Sequence, residues 1–295
     1  MSTLETINNG QISVGFSTLG GTITSLKDAD GLEYLWQGDA EYWTGQSPVL
    51  FPICGSIRDD KAVLKNGKTT AMPRHGIIRK DEFVLEEKTE NSITFSIESN
   101  EKTLEKFPFN YKVYVKHEVE GKSLKVTHIV ENTGDEDMPF FVGAHPGFNC
   151  PLEEGEKYTD YYIEFEKNET CSVPDLDTER GLINITKRSP FFNNENKLQL
   201  DSSLFHKDAI LFDELKSRSV KYVSSKSGKG LQVDFPDMPY LVLWDTANDG
   251  PFVAIEPWVG LSTCDDESDV FEEKRNLQIA KPGEKKSYSY TIRIL

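Results

Sequence analysis

Tyr111-Lys112-Val113-Tyr114-Val115-Lys116-His117-Glu118-Val119 and Leu124-Lys125-Val126-Thr127-His128-Ile129-Val130-Glu131 flank the turn Glu120-Gly121-Lys122, and their reading decides the fold. Both runs alternate with period two. Successive side chains of a strand point to opposite faces. Tyr111, Val113, Val115, His117 and Val119 therefore share one face, and Leu124, Val126, His128 and Val130 share another. Two such runs around a glycine turn predict a β-hairpin with one apolar side. Both histidines fall on the apolar parity, so they point inward or into a concave surface. A satisfied core histidine is the commoner outcome, and a substrate-lining one the alternative.

The same signature extends outward along the chain. Ile12 to Thr18, Ser92 to Glu98, Tyr161 to Glu166 and Val220 to Ser224 read as strands, as do Leu231 to Phe235, Tyr240 to Trp244, Phe252 to Ile255 and Ser287 to Ile294. Asn66-Gly67, Thr133-Gly134-Asp135, Asn248-Asp249-Gly250-Pro251 and Pro282-Gly283 supply turn chemistry. No segment carries a long apolar pattern of period 3.6. The expectation is an all-β fold, a large β-sandwich with few short helices, and one domain over 1–295. Large sandwiches reach this length as single domains. Cys171 to Leu204 is polar, with Asn193-Asn194-Glu195-Asn196, and reads as a long surface excursion.

Composition excludes several functions. The 295 residues are 37% apolar and 28% charged, the balance of a folded globular chain. Formal net charge is −16, which disfavours nucleic acid and anionic membrane surfaces as partners. A phosphorylated ligand is disfavoured only weakly, since a local Arg/Lys cluster can reverse the global field. The first residues, Met1-Ser2-Thr3-Leu4-Glu5-Thr6, carry no signal-peptide pattern, and no apolar run is long enough to span a bilayer. Cys54, Cys150, Cys171 and Cys264 lie far apart without Cys-x-x-Cys spacing, the usage of reduced thiols. A cytoplasmic protein, monomeric or homodimeric, is expected.

The residues able to do chemistry cluster in short motifs. Arg58 follows the apolar run Pro48 to Ile57 and reads as a surface cation or a presented one. His75 stands in Met72-Pro73-Arg74-His75-Gly76, where glycine permits close approach of another group to the backbone. In Phe140-Phe141-Val142-Gly143-Ala144-His145-Pro146-Gly147-Phe148, Pro146 holds His145 in extended geometry at a strand end. Phe141 and Phe148 are candidates to stack on a sugar face. Glu256 lies in Pro251-Phe252-Val253-Ala254-Ile255-Glu256-Pro257-Trp258, a carboxyl inside a buried-type strand. Such a group is paired or working, and desolvation raises its pKa toward that of a useful base. Asp208 precedes the apolar run Ala209 to Phe212 and reads equally as a turn residue. There is no phosphate-binding glycine loop, nucleophile elbow or zinc spacing. Histidines, carboxyls, Arg58 and aromatics remain, a set suited to proton transfer on a polyhydroxylated ligand without a cofactor.

At these residues the sequence resembles the aldose 1-epimerase (galactose mutarotase-like) family, in its LacX-like bacterial branch. The resemblance runs from Phe16-Ser17-Thr18-Leu19-Gly20-Gly21-Thr22-Ile23-Thr24-Ser25-Leu26 to the last strand. The ordered set Arg58, His75, His145, Asp208, Glu256 is more specific than any member. It implies the galactose mutarotase-like supersandwich, with an open sugar cleft, His145 as acid on the ring oxygen and Glu256 as base on the anomeric hydroxyl. Arg58, His75, Asp208, Phe148 and Trp258 are implied to hold the sugar, with Asp213 and Asp245 as alternatives to Asp208. No metal and no cofactor is implied. The family usually has Asn where Ile57 stands and Thr-Asn before the histidine where Gly143-Ala144 stand. Pro257-Trp258 also departs from the polar residue that usually follows the glutamate. A hexose-6-phosphate epimerase of the same fold, with Arg74, Arg79 and Lys80 near the site, is a rival. A sugar-binding protein without turnover is another, and a metal site on His75, His145, Asp208 and Glu256 a third.

Overall fold

The computed structural model describes residues 2–295. Antiparallel strands dominate it. A nine-stranded sheet carries, in spatial order, Leu182–Gln199, Tyr161–Asp177, Ser219–Ser224, Gly230–Asp234, Lys285–Ile294, Ser123–Asn132, Tyr111–Glu120, Ser92–Glu98 and Val84–Lys88. A second sheet runs Ile210–Phe212, Tyr240–Trp244, Phe252–Trp258, Gly143–Ala144, Val49–Leu50, with Gly147–Asn149 also paired to Phe252–Trp258. Leu4–Asn8, Ile12–Ser17 and Thr22–Asp28 form a third. One continuous cluster of buried apolar side chains, from Ile7 to Ile294, lies between them.

The hairpin read from the sequence is the centre of the large sheet. Its register pairs Val126 with His117 and His128 with Val115, which puts the alternating apolar residues on one buried face. The C-terminal strand Lys285–Ile294 enters between Ser123–Asn132 and Gly230–Asp234. The outermost strand Val84–Lys88 is wholly exposed and carries the charges of Glu86, Glu87 and Lys88, which discourage edge-to-edge pairing with another sheet. Among the described residues the one α-helix is Glu101–Lys106, capped by Asn100, whose side chain accepts from Lys102 N and Thr103 N. None is long and apolar enough to cross a membrane.

The stretch from Cys171 to Leu204 differs from its expected reading. It is the outer part of a long hairpin, Tyr161–Asp177 with Leu182–Gln199, rather than an irregular excursion. Four register shifts interrupt the pairing. Each shift switches the faces, so the sequence shows no sustained alternation. Side chains hold the arm instead: Arg188 reaches Ser172 Oγ at 2.8 Å and Asp213 Oδ1 at 2.7 Å.

His117 and His128 are core residues. Each is about 1% exposed and each has an Nδ1 without a hydrogen-bond partner. His117 packs on Phe16 at a centroid distance of 4.9 Å, and His128 on Tyr290 at 6.0 Å. Burial pushes their pKa values down to about 3 and about 4. Both are neutral in the folded chain, while in the unfolded chain they titrate near pH 6.5. Their contribution is fully present above that value and is lost as pH falls toward the folded values. The loss reaches on the order of 3 kcal/mol for each histidine. We expect melting temperature to fall as pH drops from 6.5 to 5, and the His117→Leu/His128→Leu protein to show a shallower slope. An equal slope in thermal melts would remove the two histidines from the pH dependence.

Candidate active site

The smaller sheet is the floor of a cleft. Its register sets Leu211, Val242 and Glu256 in one row across three strands, and Tyr240, Trp258 and Gly143 in the next. Side chains two apart share a face, so Glu256 and Trp258 rise together, as do Val242 and Trp244. Trp43, Arg74, His75, Arg79, His145, Asp208 and Ser262 form the walls with them. Leu176, Gly181, Leu182 and Ile183 of the long hairpin close one side. The enclosed volume is ≈ 240 Å³. The hairpin is fastened there by Ile183 N donating to Thr263 O at 3.1 Å and Asp265 N to Ile183 O at 2.8 Å.

Glu256 and His145 meet at the bottom. All seven residues of Phe252–Trp258 are buried, Glu256 among them at 1% exposure. His145 follows Gly143–Ala144, and its neighbour Pro146 accepts from Ile255 N at 3.1 Å, which ties the histidine to the strand bearing Glu256. His145 Nε2 lies 3.3 Å from Glu256 Oε2. Neither Glu256 Oε2 nor His145 Nδ1 makes an aligned hydrogen bond. The imidazole stacks on Trp43 at 4.7 Å and meets the edge of Trp244 at 5.5 Å.

Burial sets the charge of this pair. Desolvation pushes the Glu256 carboxyl well above its ordinary range, and the Asp208 charge adds to that; the nearby Trp258 indole N–H works the other way. Desolvation pushes His145 down, helped by the Arg79 charge. Both shifts act against charge on the pair, whereas the sequence reading requires Glu256 ionised and His145 protonated in the working site. The ion pair and the neutral pair are tautomers of each other. A proton moved between the two groups converts one into the other with no exchange with solvent.

His75 completes the histidine side. It adopts φ of +67°, unusual for a residue other than glycine. Gly76 after it has φ of +81°, and a Cβ there would collide with the Phe51 carbonyl oxygen. The close approach expected from the His-Gly pair is this contact, with Ile77 N donating to Phe51 O at 2.9 Å. Gly55 N donates to His75 Nδ1 at 3.2 Å. A ring nitrogen that accepts carries no proton, so the hydrogen sits on Nε2. The ring meets His145 edge-on at 5.4 Å and Trp258 at 5.6 Å. Burial keeps it neutral, with His145, Arg79 and Arg74 adding to the effect.

His75, His145, Asp208, Glu256 and Trp258 thus come together from four separate stretches of chain. Arg58 does not join them. It pairs with Asp269 and donates to the carbonyls of Cys264 and Glu267, each at 3.3 Å, tying loops behind the cleft. Phe148 is also misplaced by the sequence reading. It is fully buried and bridges Leu35, because the alternation of Gly147–Asn149 turns it into the core. Phe141 is buried likewise. The aromatic faces in the cleft are Trp43, Trp244 and Trp258, and the cations are Arg74 and Arg79. Trp43 lies in a loop without periodicity, so only its rarity as a tryptophan marks it. Asp213 is ion-paired with Arg188, and Asp245 is buried with its pKa pushed up to about 7 by desolvation. Neither lines the cleft. Among the described residues no three His, Cys, Asp or Glu side chains are grouped to hold a metal ion.

An antiparallel sandwich whose smaller sheet floors a cleft around a buried imidazole and carboxyl defines the galactose mutarotase-like class of fold. The chain belongs to the aldose 1-epimerase family, whose profile matches residues 3–293. It is 50% identical over 294 residues to the plasmid-encoded protein LacX of Lactococcus lactis subsp. lactis, with 98% of each chain covered. A galactose mutarotase related enzyme from Lactobacillus acidophilus superposes with a TM-score of 0.93 at 32% identity, over 99% of this chain and 97% of that one. A galactose mutarotase-like protein from Lactobacillus casei superposes with a TM-score of 0.90 at 27% identity, over 99% and 100%.

The tight contact at Gly76 has a measurable consequence. We expect Gly76→Ala to cost more than about 2 kcal/mol in urea unfolding. Gly67→Ala, with a similar φ of +83° but open space around it, should cost only about 1 kcal/mol of conformational strain. Equal costs would show that the Phe51 carbonyl yields freely.

Proposed function

We propose that this protein is an aldose 1-epimerase, an isomerase that interconverts the α and β anomers of a hexose by opening and reclosing its ring. One observation carries the reading: a buried carboxyl and a buried imidazole 3.3 Å apart at the floor of an aromatic-walled cleft.

Glu256 in its ionised form takes the proton of the C1 hydroxyl. Protonated His145 delivers its proton to the ring oxygen. The C1–O5 bond breaks, and the electron pair of the C1 oxygen forms the aldehyde. Rotation about C1–C2 presents the other carbonyl face. The O5 hydroxyl then attacks C1, its proton returns to His145, and the new C1 hydroxyl takes back the proton from Glu256. Each positioned acid or base contributes about 10²–10⁴-fold. His75 offers its Nε2–H and Asp208 its carboxylate to the sugar hydroxyls. Trp43, Trp244 and Trp258 offer apolar faces.

We expect Glu256→Gln to lower turnover at least 10²-fold while sugar binding survives, and His145→Asn to do the same. Exchange NMR on equilibrated glucose and galactose reads the rates, and calorimetry reads the binding. Binding by the wild-type protein without faster anomer exchange would overturn the enzyme reading in favour of a sugar-binding protein.

The pH profile is a second check. A productive pair holds one proton, and activity falls in acid only when His145 gains a second. Since burial places that event well below pH 6.5, we expect kcat/KM to show no histidine limb near pH 6.5. A limb at that pH would mean that His145 titrates as if in water.

A further inference from the structure

The indole N–H of Trp258 is buried and makes no hydrogen bond, and Glu256 Oε2 is buried and makes none either. A buried donor or acceptor left so carries the full cost of its desolvation. The two residues stand two apart on Phe252–Trp258, so both side chains face the cleft that they line. The N–H is close enough to the carboxyl to favour its ionised form. The cleft floor therefore holds an unmet donor beside an unmet acceptor.

The backbone opposite turns the indole this way. Trp258 pairs with Gly143 across the sheet. A Cβ on Gly143 would fall 3.1 Å from Trp258 Cδ1. Cδ1 is bonded to Nε1, so the edge of the ring that carries the N–H lies over the bare backbone of Gly143, two residues before His145. His75 packs across the indole at 5.6 Å, its plane at 74°.

A hydrogen bond to an ionised acceptor is roughly twice as strong as a neutral one. The indole N–H thus favours the carboxylate over the acid. The other titratable neighbours of Glu256 are His145 at 3.3 Å, Asp208, whose charge opposes ionisation, and the thiol of Cys54, a weak donor. The Arg79 charge acts on His145. An imidazolium that turns its proton to a ring oxygen cannot also serve the carboxylate. The indole is the donor that remains. We propose that Trp258 is a positioning residue for the base, its N–H donating to Oε2 of ionised Glu256 and leaving Oε1 to take the proton of the C1 hydroxyl. This rests on the epimerase reading for the C1 proton, and not for the contact with the carboxyl.

The test replaces Trp258 by benzothienylalanine, which keeps the shape of the ring and puts sulfur in place of the N–H, with Trp258→Phe as a companion. Carbon-13 NMR of protein labelled at the glutamate carboxyl carbon reads the titration, with Glu256 assigned from the signal lost in Glu256→Gln. Exchange NMR on equilibrated glucose and galactose reads turnover. In the benzothienylalanine protein we expect Glu256 to hold its proton about tenfold more tightly and kcat to fall about tenfold, with KM within about twofold of wild type. Lost packing acts in the opposite sense, because water let in by the smaller Phe would ease ionisation. Tighter proton binding in either protein therefore reports the missing N–H. An unmoved titration in the benzothienylalanine protein, or an unchanged kcat, would overturn the proposal; a raised KM beside unchanged kcat would assign the N–H to the sugar. No faster exchange of either sugar with wild-type protein would overturn the epimerase reading, while a moved titration would uphold the contact with Glu256 all the same.

Discussion

A carboxyl group in the middle of a wholly buried strand is the constraint on which the rest of this structure depends. An isolated ionised carboxylate at the position of Glu256 would cost several kcal/mol. The protein answers in two ways. It places His145 at 3.3 Å, and burial pushes the two pKa values in opposite senses, each against the charged form. A strand with a polar group at its centre must then open onto a cavity or leave that group orphaned. The cleft is that opening.

Everything around the pair follows from keeping it dry yet reachable. Trp43 and Trp244 cover the imidazole with apolar faces. His75 is held in one tautomer by the Gly55 backbone, which leaves a neutral donor facing the cleft. The long hairpin brings Leu176 and Leu182 over the side and is fastened by backbone hydrogen bonds to Thr263 and Asp265. Arg58, Lys274, Glu267, Asp269 and Arg275 form an ion network behind that wall. Charge thus stiffens the scaffold outside the cleft, while the groups within it stay mostly neutral. Arg74 and Arg79 are the exception.

The strand pattern was legible because it is local. Ser92–Glu98 and Tyr240–Trp244 coincide with their reading from alternation alone; in the central hairpin the first strand starts as read and runs one residue further, and the second is longer by a residue at each end. The outer hairpin was not legible, because its bulges break the alternation on which such reading rests. His145 and Glu256 stood out in the chain for chemical reasons: a histidine held extended by Pro146, and a carboxyl among apolar neighbours. Arg58, in a 3-10 turn, and Phe148, within a short strand, fall outside the cleft because a side chain's direction there depends on partners far away in sequence.

By itself, then, the sequence determined that the chain forms strands, where most of them lie, and which acid and which imidazole are out of place in a core. Those are properties of neighbours within a few residues. Only the tertiary structure decided that Glu256 meets His145, that Trp43 and not Phe148 lines the cleft, and that Arg74 and Arg79 line it while Arg58 does not. Each of these rests on pairings between residues tens to hundreds of positions apart. Such distances are set by sheet order and register, and local pattern carries no record of them.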